Sequence, residues 1–113
     1  MEKSENTGGG NPAITSLTGK QARYLRGLGH GLKPVIQVGK LGWDDRVAAQ
    51  VEGCLLAHEL VKIKVLETSP LSRDEIAGLL VARSGALIAQ KVGRTLLIYR
   101  PHPDNPFITL PLP

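Results

Sequence analysis

From Leu17 onward the spacing of apolar residues switches between the period of a helix and the period of a strand, and each switch marks an element. Thr18-Gly19-Lys20-Gln21 has the form of a capping box: the Thr18 hydroxyl can satisfy a free helix amide while Gln21 reaches back to the cap. In the helix that follows, Ala22, Leu25, Leu28 and Gly29 fall on one side; Lys20, Arg23, Arg26 and His30 fall on the other. Gly31 and Lys33-Pro34 end it, since the residue before proline avoids helical dihedrals. Val35-Ile36-Gln37-Val38 reads as a short strand. A second helix, capped by Asp44 or Gly42, carries the stripe Val47, Val51, Cys54/Leu55 and His58. Leu60 to Leu66 alternates as a strand does, with Val61, Ile63 and Val65 on one face and Lys62 and Lys64 on the other. Pro70 marks a loop, and a second capping box, Ser72 to Glu75, opens a third helix with Ile76, Leu79 and Leu80. Gly85 closes that helix. Ala86–Val92 and Thr95–Tyr99 are strands joined tightly through Gly93-Arg94, a hairpin by length and composition.

The predicted order is α-β-α-β-α-β-β. It implies an α/β fold: a small mixed four-stranded sheet packed by helices, with right-handed crossovers between parallel strands and a final antiparallel pair. The 113 residues suggest one domain with a single core. Residues 1–16 are polar and glycine-rich without periodicity and are expected to be a disordered N-terminal tail. Residues 17–101 form the folded unit, and residues 102–113, punctuated by proline, an extended C-terminal tail.

Charge sharpens this picture. The chain carries a net +4, and from Leu17 to His102 13 Lys and Arg face 7 Asp and Glu, a net +6. Such a surface favours polyanions. Cys54 is the only cysteine, so no intramolecular disulfide can form, and it falls on the apolar side of a helix. No apolar run is long enough to span a membrane, and the N-terminus lacks a signal peptide's apolar core. The expectation is a cytoplasmic monomer with no membrane association. His30, His58 and His102 are scattered, with no carboxylate or cysteine at metal-ligand spacing, and no nucleophile-base pairing or P-loop is present. The reading is therefore no catalytic residues, no metal and no cofactor.

The candidate chemistry centres on Gly39-Lys40-Leu41-Gly42, where the first strand hands over to the second helix. A G-x-x-G turn admits backbone close to a phosphate, Lys40 adds charge at its tip, and the helix beyond is expected to aim its positive dipole end at the same place. In the KH domain such a loop clamps nucleic-acid backbone, although there it lies between two helices. The alternative is a structural turn that simply needs glycine dihedrals. Lys33, Lys20, Arg23 and Arg26 are further candidates for RNA contact, or else an ordinary solvated face. Trp43 either packs on the sheet or offers a stacking platform for an unpaired base. Lys62 and Lys64 either line an RNA surface or wet an exposed face, the second reading being slightly preferred, and Arg94 is exposed at a hairpin tip.

Several blocks together resemble the CRM domain, named for chloroplast RNA splicing and ribosome maturation, and more closely its stand-alone bacterial YhbY-like members. They are Leu17-Thr18-Gly19-Lys20-Gln21, His30-Gly31-Leu32-Lys33-Pro34-Val35 running into Val38 to Gly42, His58 to Lys64, and Gly93 to Pro101. The resemblance implies an RNA-binding domain similar in fold to the C-terminal domain of translation initiation factor three, with an added N-terminal helix. It also implies association with ribosomal RNA in precursors of the large subunit, and an RNA contact through Gly39 to Gly42 and neighbouring basic residues. Trp43 departs from the family, which usually has a smaller apolar residue there. The C-terminal tail lacks the basic residues that some members carry. The expected function is thus a non-enzymatic RNA-binding protein in ribosome biogenesis. Its rivals are a protein-interaction or regulatory module with an acidic protein partner and, further off, a small enzyme acting on phosphate-bearing substrates.

Overall fold

Thr18 and Ser72 each open a helix by the reciprocal bonding their sequences encode. The structure is a computed structural model that describes residues 16–113; apart from Ser16, the N-terminal stretch discussed above lies outside the described residues. In α1 (Gly19–Gly29) the Gln21 N–H donates to Thr18 Oγ1 and the Thr18 N–H donates to Gln21 Oε1, both at 3.1 Å. In α3 (Arg73–Ser84) Ser72 and Glu75 repeat the pair at 2.9 and 3.1 Å, and Gly85 ends the helix in the left-handed region with φ +72°. Between them, α2 (Asp45–His58) is capped by Asp44, whose carboxylate accepts the Val47 N–H at 2.9 Å.

Strands β1 (Ile36–Val38), β2 (Leu60–Val65), β3 (Leu87–Val92) and β4 (Thr95–Tyr99) form one sheet in the order β1-β2-β4-β3. β1 is parallel to β2, and β4 is antiparallel to both its neighbours. The expected mixed α/β sheet is therefore present. The unit β2-α3-β3 joins strands of like direction that do not touch, because β4 lies between them. The two-residue turn Gly93-Arg94 obliges β4 to pair beside β3, and β4 is the most apolar strand, buried from Leu96 to Tyr99. A bulge at Ala89 shifts the β3–β4 register between Ile88 and Gln90.

Both faces of the sheet are covered, so the single core expected from chain length is in fact two clusters. On one face Ile36, Val38, Val61, Ile63, Val65, Leu96 and Ile98 pack against Val47, Val51 and Leu55 of α2 and Ile76, Ala77 and Leu80 of α3. On the other, Leu60, Ala89, Leu97 and Tyr99 pack beneath Leu25 of α1, with Ile108 and Leu110 of the C-terminal segment joining them. Gly29 brings α1 down onto this face: a Cβ there would lie 2.7 Å from Leu97 Cδ2.

The buried stripe of α1 differs from the expected one. Gln21, Leu25 and Gly29 are buried, whereas Leu28 is 44% exposed. Gln21 turns inward because its side chain has two buried tasks, the capping bond and a 3.1 Å bond from Nε2 to the Pro111 carbonyl. His58, assigned to the α2 stripe, is exposed at the helix end. Residues 101–113 form no helix or strand, yet they are held closely. Glu59, fully buried with φ 62°, accepts the N–H groups of His102 (2.6 Å), Phe107 (3.1 Å) and Ile108 (2.7 Å). Burial first, and the Glu59 charge second, push the Tyr99 hydroxyl up to a pKa of about 12.

Candidate nucleic-acid interface

The tetrad forms a tight turn, closed by a 2.9 Å bond from the Gly42 N–H to the Gly39 carbonyl. Gly42 is buried and has φ +62°, and a Cβ on it would come within 3.0 Å of Pro70 Cγ. Its glycine is required by the fold. Gly39 differs: a Cβ would meet only ordinary contacts, 3.6 Å to Leu66 and 3.7 Å to Thr68. Lys40 is exposed, and Leu41 is 67% exposed. The backbone N–H groups of both find no acceptor among the described residues. An exposed turn with two free donors and one lysine can take an anion.

The helix beyond does not share in this. Asp44 caps the N-terminus of α2 with its own carboxylate, and Asp45 adds a second acid in the first turn. The expectation that the dipole end of α2 faces a phosphate is overturned, since two carboxylates already occupy that end. Trp43 is half-buried and packs against the larger core cluster, which commits part of its ring to the interior.

A broader basic surface lies on the sheet face that α1 covers only in part. β2 alternates Val61, Ile63 and Val65 into the larger core with Leu60, Lys62 and Lys64 on the opposite face. Leu25 of α1 packs over Leu60, Ala89, Leu97 and Tyr99, and Lys64, further along the same face of β2, is exposed. The result is a groove of about 890 Å³ whose walls include Arg23 and Arg26 from α1, His30 at its C-cap, Lys33 from the following segment, and Lys62 from the sheet. Gln90 and Thr95 contribute to its lining. Lys62 Nζ donates to the Leu32 carbonyl at 2.9 Å, fixing the segment before β1 against the sheet.

Charge is sorted across the sheet. α1 and all four strands contain no acidic residue. Described ion pairs join Arg100 to Glu52, Arg73 and Lys91 to Asp74, and Arg46 to Asp44. Arg100 holds the Glu52 carboxyl below its ordinary range, chiefly through the hydrogen bond between them. Among the described residues, Arg23, Arg26, Lys33, Lys40 and Lys64 have no ion-pair partner.

The structure thus brings Arg23, Arg26 and Lys33 together in one groove. Lys20 is exposed on α1 but not part of the groove lining. Gly39 to Gly42 lie outside the groove, at the end of the sheet to which Lys62 and then Lys64 lead along β2. The hairpin turn reaches the same end, where the Arg94 carbonyl accepts the Val65 N–H at 2.8 Å. The sequence leaves Lys62 and Lys64 between lining an RNA surface and wetting an exposed face. The signal available was their alternation with Val61, Ile63 and Val65, but alternation does not say what stands beside a face.

Comparison with known proteins agrees with the blocks noted in the sequence. The family model for the CRS1 / YhbY (CRM) domain matches residues 17–100. "Probable RNA-binding protein YqeI" of Bacillus subtilis is 39% identical over 95 residues, covering 84% of this chain and 99% of that protein. An "RNA-binding protein" of Haemophilus influenzae is 36% identical over 88 residues, covering 78% and 89%. The solution structure of the hypothetical protein SAV1595 from Staphylococcus aureus superposes with a TM-score of 0.70 at 37% identity, covering 84% of this chain and 99% of that one.

Proposed function

The chain belongs to the CRS1/YhbY (CRM) domain family, and on that footing we propose that it is a non-enzymatic RNA-binding protein. The observation that carries the reading is the sorting of charge. Arg23, Arg26 and Lys33, without described ion-pair partners, line the groove beside α1, and β2 runs from Lys62 through Lys64 toward the end of the sheet where the Lys40 turn follows β1. RNA phosphates lie along this track and displace counterions from it. Arg23, Arg26, Lys33 and Lys62 hold one stretch of backbone, and Lys40 with the free turn amides holds another. The finer assignment of the RNA rests on the family resemblance: it is ribosomal, in precursors of the large subunit; that the protein acts as a cytoplasmic monomer rests on the composition of the sequence alone.

The test is affinity for a structured RNA as a function of salt, for the wild type, Lys40→Glu and Arg83→Glu. Arg83 is an exposed residue of α3, which packs on the other side of the sheet. With about four to six phosphates neutralised, log K should fall against log salt with a slope of roughly −3 to −5. Lys40→Glu should weaken binding roughly tenfold at low salt, since attraction becomes repulsion at one phosphate. Arg83→Glu, with the same change in net charge, should have a much smaller effect. Equal losses from both would mean that only net charge matters, and the groove and turn would lose their role. A flat salt response would favour an acidic protein partner.

A further inference from the structure

A strip of exposed apolar side chains runs beside the basic groove. Tyr24 (42% exposed) and Leu28 (44%) stand one turn apart on α1. Leu32 (41%) and Val35 (55%) continue the strip through the segment before β1. Apolar groups this large are seldom left side by side on a surface without a partner. Next to them opens a second cavity of about 320 Å³, with Leu28, Leu32, Val35, Leu60 and Ile108 in its lining. This cavity and the groove share Leu32, Lys33 and Lys62. The Lys62–Leu32 bond braces the wall between them.

We propose that this second cavity holds an unpaired nucleobase of the RNA whose phosphates lie in the groove. The inference rests on the RNA-binding reading and specifies the RNA: it must present at least one base out of its stack. Continuity of the two cavities supplies the argument. A chain whose backbone is held by Lys33 and Lys62 on the shared wall has its next base within reach of an apolar recess. A base offers an apolar face and a polar edge. The leucines and Val35 meet the face, Tyr24 extends the surface with an aromatic ring, and His58 in the cavity lining offers a ring nitrogen to the edge. A duplex keeps its bases stacked inside and cannot fill the recess.

The experiment uses the full chain and fluorescence anisotropy with three probes of equal length: a short oligoadenylate, an abasic ribose-phosphate oligomer and an RNA duplex. The wild type should bind the oligoadenylate at least about tenfold more tightly than the abasic oligomer. Leu28→Ser combined with Val35→Ser removes exposed side chains, so the melt should hold. That variant should lose most of the advantage for bases while binding the abasic oligomer as the wild type does. Equal affinity of the wild type for oligoadenylate and abasic oligomer, with a steep salt response to both, overturns the base site and leaves the phosphate track standing. Loss of salt-dependent binding to all three probes overturns the RNA-binding reading beneath it. A sedimentation coefficient that rises with concentration and returns to the monomer value in the variant also overturns the base site, by giving the strip to a second copy of the chain.

Discussion

Gly39 and Gly42 carry the same side chain, none, for different reasons. Gly42 adopts a left-handed conformation and faces Pro70 at a distance that excludes a Cβ. Gly39 has neither constraint, so the fold does not ask for glycine there. A ligand approaching the turn would. Gly42→Ala should therefore destabilise by about 1–2 kcal/mol, from the left-handed backbone and the Pro70 contact, lowering Tm by about 5–10 °C. Gly39→Ala should leave the melt within about 0.5 kcal/mol of wild type and weaken RNA affinity severalfold. Thermal unfolding and binding on the same two variants check both statements. Unchanged affinity in Gly39→Ala would remove the turn backbone from the interface. The tetrad was legible as a turn because glycine spacing is local information. The division of labour was not, because Pro70 reaches Gly42 from a distant loop.

At the scale of elements, the helices were legible down to their caps, and the C-terminal segment was not. Two capping boxes and the left-handed Gly85 are written within a few residues of each other. By contrast, α2 ends on Glu59 at φ 62°, where glycine would be the comfortable choice. Its buried carboxylate explains why: it gathers three backbone N–H groups of the C-terminal segment, and Gln21 binds the same segment further on at Pro111. Ile108 and Leu110 then complete the smaller cluster under α1. Glu59→Gln turns an amide donor toward donors and removes the charge. It should cost about 2 kcal/mol, seen as a Tm lower by roughly 10 °C. Limited proteolysis should cut residues 102–110 before the rest of the chain. An unaltered melt and cleavage pattern would show that the segment is held by its apolar residues alone.

For the whole molecule, the net +6 between Leu17 and His102 matters less than where it lies. Glu52 of α2 and Asp74 of α3 are held in ion pairs on one side of the sheet, while Arg23, Arg26 and Lys33 line a groove on the other without described ion-pair partners. A polyanion meets a one-sided protein. If that polyanion is ribosomal RNA in large-subunit precursors, the protein in cell lysate at low salt should co-sediment with immature large-subunit particles, and ribonuclease should release it. Recovery only in the soluble protein fraction, with or without ribonuclease, would favour an acidic protein partner.

What the sequence determined by itself was whatever depends on near neighbours: seven elements in order, the caps of two helices, the glycine turn, and the family blocks. Those follow from periodicity and from hydrogen bonds spanning three or four residues, which any reader of the chain can count. Tertiary structure decided which strands touch, which side of α1 is buried, and what company each lysine keeps. β4 entered between β2 and β3, and Gln21 took the inward place on α1 that Leu28 was expected to hold. Lys62 lines the groove because α1 leaves part of its sheet face open. The physical reason is common to all of these: burial and electrostatic surroundings are set by residues far apart in the chain, and no local pattern records them.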